Sequence, residues 1–222
     1  MLIIAIPKSA STSLLATLKK VHRLDGRQTY FPDAASPSEV KVLDRYHSDL
    51  RELNEEQVDA FSDKKSLYKQ HIPPTENNIK LLQCCKKVIL LRPPEDIISA
   101  YYRAEMNGIH AERPEFIGCR SIEEWQRRAR EIGLYDDLMW FTERWRTVPD
   151  LDGDNLFISC EELLSSPLEV INRVEAHFVL PVSVRVELEK ARYSRHGKVR
   201  RFAISAKGYI KKCLKYALGG EL

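Results

Sequence analysis

Residues 1–18 read Met1-Leu-Ile-Ile-Ala-Ile-Pro-Lys-Ser-Ala-Ser-Thr-Ser-Leu-Leu-Ala-Thr-Leu18. Leu2 to Ile6 is a continuous apolar run, the pattern of a short buried strand. Small hydroxylated residues follow from Ser9 to Ser13, with Ala10 among them, and then Leu14, Leu15 and Leu18 fall on one face of a helix. A strand that passes through a turn of small residues into a helix leaves several N–H groups unpaired at the helix start. Such a turn binds phosphate or sulfate, and Lys8 adds positive charge beside it. The G-x-x-x-x-G-K-[ST] string of nucleotide hydrolases is absent, and the lysine opens the turn instead of closing it. The plainer alternative is a buried strand–turn–helix whose Ser and Thr only cap the helix.

The chain has 222 residues, 43% of them hydrophobic, enough for one sizeable core, so a single domain over 1–222 is expected. No apolar run approaches the ~20 residues of a membrane span. The expected location is cytoplasmic, because a phosphate loop starting at Pro7 leaves no room for a cleaved leader. Cys84, Cys85, Cys119, Cys160 and Cys213 form no C-x-x-C pair and have no His at metal spacing, which fits reduced thiols and no zinc site. Net charge is +3 but uneven. From Arg185 onward there are 11 Lys/Arg against 3 Asp/Glu, while residues 1–184 carry 24 against 29. A basic C-terminal arm suggests an anionic partner, with a solvated basic helix as the simpler reading.

Along the chain, residues 27–31 are expected to form a second strand. Ser36-Pro37-Ser38-Glu39 signals a helix start, and one or two polar helices are expected over 37–61, with a second start at Asn54. Ser66 to Gln70 reads as a strand that stops before Pro73 and Pro74. His71 then stands at a strand's carboxyl end, where open α/β sheets place their ligands. Lys87 to Leu91 is the run of a central parallel strand. It ends in Arg92, where a magnesium-using NTPase would want an acidic residue. A guanidinium there suits a phosphate, or else pairs with Asp96. Residues 107–120 carry Gly108, Pro114 and Gly118 and read as a loop, with His110 a weaker rival to His71 for acid–base work. Ser121 opens a long helical stretch with Trp125, Leu138, Phe141 and Trp145 on its apolar side and Gly133 as a break. Asn155 to Ser159 is a further strand, and Pro167 starts the next helix.

The order Pro7-Lys8-Ser9-Ala10-Ser11-Thr12-Ser13 resembles the Pro-Lys-Ser-Gly-Thr-Thr loop of the PAPS-dependent sulfotransferases, with Ala10 in place of Gly and Ser11 in place of Thr. PAPS is 3′-phosphoadenosine-5′-phosphosulfate. Tyr68-Lys69-Gln70-His71-Ile72-Pro73 resembles the Lys-Thr-His-Leu-Pro segment whose His is the general base. Arg92 to Arg103 resembles the signature in which an Arg and a Ser hold the donor's 3′-phosphate. Arg92 and Ser99 are seven apart where the family spaces them by eight, and Ala100 takes the eighth position. The segment near Phe157 resembles the family's strand and Tyr-Glu-Asp-Leu turn, with Cys160 for Tyr. Tyr193 to Lys198 resembles the Arg-Lys-Gly segment over the 3′-phosphate, matching at Arg195 and Gly197.

The resemblance implies a P-loop-like α/β domain with a parallel sheet of about five strands flanked by helices. It implies sulfonate transfer from PAPS to an acceptor hydroxyl or amine, with PAP as product and no metal. Lys8 and His71 would be catalytic. Lys8, Ser9, Ala10, Ser11, Thr12, Ser13, Arg92, Ser99, Arg195 and Gly197 would bind the donor. The partner would be a small-molecule or glycan acceptor and not a nucleic acid, with the basic tail free to touch an anionic surface. The alternatives are a small-molecule P-loop kinase using ATP and magnesium, and a non-catalytic nucleotide or anion binder. Acceptor identity and oligomeric state stay open.

Overall fold

A computed structural model describes residues 1–27, 37–47, 50–109, 113–150 and 152–189. Five strands form one sheet: β1 (Leu2–Ala5), β2 (Asp25–Arg27), β3 (Ser66–Gln70), β4 (Lys87–Leu91) and β5 (Asn155–Ser159). Their order is β2-β3-β1-β4-β5, and every neighbouring pair is parallel. Parallel strands need crossovers, and helices make them: α1 (Ser11–His22) after β1, α3 (Glu76–Leu81) between β3 and β4, and α4 (Pro94–Met106) after β4. Between β4 and β5 also come α5 (Ile122–Glu131) and α6 (Leu134–Arg146).

Side chains alternate along each strand, so β1 sends Leu2, Ile4 and Ile6 to one face and Ile3 and Ala5 to the other. The first face packs against Ile97, Ile98 and Tyr101 of α4, Trp125 of α5, and Leu138, Phe141 and Trp145 of α6. The second packs against Leu14 and Leu18 of α1 and Val170, Ile171 and Val174 of α8 (Pro167–Phe178). Cover on both faces is why β1, and β4 from Val88 to Leu91, are apolar without interruption.

The local signals read from sequence hold at several helix starts. Ser121 and Asn54 each form a reciprocal capping box, and Thr75 caps α3. Gly133 has φ +82° and separates α5 from α6. The expected helical region over 37–61 is corrected. Among the described residues its helix is α2 (Glu55–Ala60), preceded by a 3₁₀ turn at Leu43–Arg45. The Asp137 carboxylate of α6 accepts the Val42 and Leu43 amides at 2.7 and 2.8 Å, so tertiary bonds replace helical ones there. Val40, Val42, Leu43, Leu50 and Leu53 of this region are nonetheless buried in the core. The second strand is Asp25–Arg27, earlier than expected, and residues 28–31 lie outside the described residues. Cys84, Cys85, Cys119 and Cys160 are free thiols. Among the described residues no helix is long and apolar enough to cross a membrane.

Candidate active site

Because all strands are parallel, their carboxyl ends share one edge of the sheet, and β1 lies between β3 and β4. The residues leaving these three strands therefore meet: Lys8 to Ser13 after β1, His71 after β3 and Arg92 after β4. They line one cavity of about 600 Å³.

The loop after β1 turns through left-handed backbone at Lys8 (φ 64°) and Ala10 (φ 66°). Ala10 thus adopts the conformation that glycine takes without strain, at a cost of about 1–2 kcal/mol. The Ser9 hydroxyl donates to the Ile6 carbonyl at 2.7 Å, which ties the turn to the strand end. The Ser13 and Leu14 amides donate to the Ala10 carbonyl. The amides of Ser9, Ala10, Ser11 and Thr12 make no hydrogen bond among the described residues, so unpaired donors collect at the start of α1. That fits an oxyanion, and Lys8, Ala10, Ser11, Thr12 and Ser13 face the cavity.

His71 is 7% exposed. Its Nδ1–H donates to the Ala5 carbonyl at 2.6 Å, which leaves Nε2 as the acceptor, 3.5 Å from the Lys69 ammonium. The Trp145 indole N–H donates to the Ile72 carbonyl at 3.0 Å and fixes the backbone beside it. Burial first, and the Lys69 charge second, hold the imidazole down to about 3, so it is neutral near pH 7. Lys8 is lowered to about 8, mainly by burial and then by the Arg113 guanidinium.

Arg92 Nη1–H donates to the Lys8 carbonyl at 2.7 Å, while Asp96 stands off at 4.0 Å. Arg92 also lines a second cavity of about 880 Å³, between the start of α4 and α7 (Cys160–Ser165), which shares Cys160 and Leu164 with the first. Arg92, Cys160 and Leu164 are thus a wall common to both cavities. Ser99 is half-buried and lines neither cavity, whereas Ala100 lines the first. Arg195, Gly197 and His110 lie outside the described residues, as does nearly all of the basic arm.

Several cavity residues were not assigned a role from sequence. His47 is in edge contact with His71, their ring centroids 5.0 Å apart, and hydrogen bonds through Nε2 to the Tyr101 hydroxyl at 2.5 Å. Arg113 lies over the Tyr101 and Tyr46 rings at 4.4 and 4.9 Å and pairs with Glu105 at 3.0 Å. Lys69 and Arg103 complete a basic wall. Only Lys69 carried a readable signal, two residues before His71.

Among solved structures, a mouse sulfotransferase complexed with PAP superposes on 82% of this chain with a TM-score of 0.52 at 16% identity. The chain has the sulfotransferase fold. It spans 58% of the mouse protein's length. A sulfotransferase from Alicyclobacillus acidocaldarius matches over 100% of this chain and 96% of its own, at 14% identity and a TM-score of 0.47. A retinol dehydratase in complex with androsterone and inactive cofactor PAP matches over 82% of this chain and 60% of its own, at 15% identity and 0.45. No protein-family model matches the sequence, and no curated protein sequence matches it.

Proposed function

We propose that this protein transfers a sulfonate group from PAPS to an acceptor hydroxyl. The observation that carries the reading is the placement of His71 Nε2, with its tautomer fixed, in the same cavity as Lys8 and the unpaired loop amides. The amides of Ser9 to Thr12, with Lys8, are suited to the phosphosulfate end of the donor. Arg92, between the two cavities, is suited to the 3′-phosphate. PAPS supplies a sulfonate on a phosphate leaving group. His71 takes the acceptor's hydroxyl proton as the oxygen–sulfur bond forms and the bond to the bridging oxygen breaks. Lys8 meets the charge that develops on that bridging oxygen, and Lys69 supports the same charge from beside His71. Residues 1–189 alone supply these roles, and Arg195 and Gly197 are proposed to close over the 3′-phosphate.

Calorimetry with PAP and with ADP, which lacks the 3′-phosphate, tests the reading, together with transfer of labelled sulfate from PAPS without added magnesium. PAP binding at least ~10-fold tighter than ADP, with metal-independent transfer, is expected. Equal binding, or turnover only with ATP and magnesium, would reassign the site to a kinase.

A further inference from the structure

The cavity wall carries five cationic side chains, Lys8, Lys69, Arg92, Arg103 and Arg113, and no Asp or Glu among the described residues. Resting on the sulfotransferase reading, three of these are occupied by the donor and the reacting centre: Lys8 in the loop, Arg92 after β4, and Lys69 at 3.5 Å from His71. Arg103 and Arg113 are left over. They come from the last turn of α4 and the segment beyond it, and Arg113 shares the Tyr101 ring with Lys8.

Arg113 is a built feature, not a stray surface charge. Its side chain is 11% exposed, held by a 6% exposed Glu105 carboxylate that accepts from Nη1 at 3.0 Å and from the backbone amide at 3.3 Å. Its guanidinium lies over the Tyr46 and Tyr101 rings. It is also close enough to Lys8 to disfavour the ammonium form there. Holding two cations against each other costs free energy unless an anion arrives to separate them. Arg103 is exposed at the rim and makes no ion pair among the described residues.

We propose that the acceptor is itself an anion, a hydroxyl compound carrying a carboxylate, sulfate or phosphate group that Arg103 and Arg113 hold while its hydroxyl faces His71. A neutral phenol or sterol would leave Arg103 without a counter-charge among the described residues, Arg113 being already paired with Glu105. An anionic acceptor would be repelled by the donor's own charge unless such cations screened it.

The experiment titrates the PAP-saturated protein with p-nitrophenyl β-D-glucuronide and with p-nitrophenyl β-D-glucoside, which differ in the carboxylate. The expected result is glucuronide binding ~10-fold or more tighter than glucoside. Arg103→Gln and Arg113→Lys are tested singly, with an unchanged PAP affinity as the control for folding. Arg103→Gln should cut the preference several-fold, while Arg113→Lys, which keeps the charge, should retain more of it. Equal affinity, or no binding of either glycoside up to about 10 mM, with PAP still bound, overturns the anionic acceptor alone. Failure of PAP itself to bind overturns the donor reading and this proposal with it.

Discussion

Arg92 and Lys8, 84 residues apart in sequence, are joined by a hydrogen bond of 2.7 Å from the Arg92 guanidinium to the Lys8 carbonyl. The side chain proposed to meet the 3′-phosphate thus also buttresses the loop proposed to meet the other end of the donor. Arg92→Ala should therefore weaken PAP by more than its phosphate contact alone, ~100-fold, and should weaken ADP ~10-fold as well. Arg92→Lys keeps the charge but not the planar fork, and should fall in between. Calorimetry of both nucleotides on both variants checks this. ADP affinity untouched in Arg92→Ala would separate the two roles.

Lys8 gives a signed pH dependence. Its folded pKa is about 8 against an ordinary 10.5. The ammonium form binds the anion, so PAP affinity should be full below pH 8 and fall as pH rises beyond it. Proton uptake on binding should be visible near pH 8–9 when calorimetry is repeated in buffers of different ionisation enthalpy. Over pH 8 to 10.5 the unfolded chain holds this proton and the folded one does not, so this group's contribution to stability rises with pH in that window. Lys8→Met should abolish both effects.

For His71, removal should cost transfer without costing donor binding. His71→Gln is expected to lower kcat by about 10²–10⁴-fold and leave PAP affinity within about twofold. The folded pKa is about 3 against an ordinary 6.5, so between these values the unfolded chain binds the proton and the folded one does not. Stability from this group is therefore lost as pH falls from 6.5 toward 3. Urea midpoints of the wild type should drop more steeply over that range than those of His71→Gln.

Ala10 sits at φ 66° and ψ 16°, with its methyl group packed at the edge of the core that includes Leu14 and Leu18. Ala10→Gly should stabilise the fold by about 1 kcal/mol, the relief of left-handed strain less the extra freedom of the unfolded chain. Chemical denaturation measures it directly. A loss of stability would mean that the Ala10 methyl group packs usefully against its neighbours.

The sequence was most legible where burial dictates composition. Strands β1, β4 and β5 match their apolar runs because both faces of a parallel sheet are covered, and β3 was marked by the prolines that follow it. Once those runs were placed, Lys8, His71 and Arg92 had to converge. The segment from 37 to 53 was misread because its start resembles a helix cap, while the Asp137 carboxylate, 95 residues away from Val42, takes the amides a helix would need. His47, Tyr46, Arg103 and Arg113 reach the cavity from three separate stretches with no local pattern, so only the folded chain assembles them.

The adjacency of β3, β1 and β4 has a lasting consequence. Neighbouring strands stand ~4.8 Å apart, a pitch fixed by backbone hydrogen bonding and indifferent to side chains. The proposed base, oxyanion cradle and guanidinium are thus carried on a ruler that point substitutions cannot restretch. Under the proposed transfer, a change of acceptor is then left to the irregular stretches above the sheet, while the span between the ends of β3, β1 and β4 stays constant.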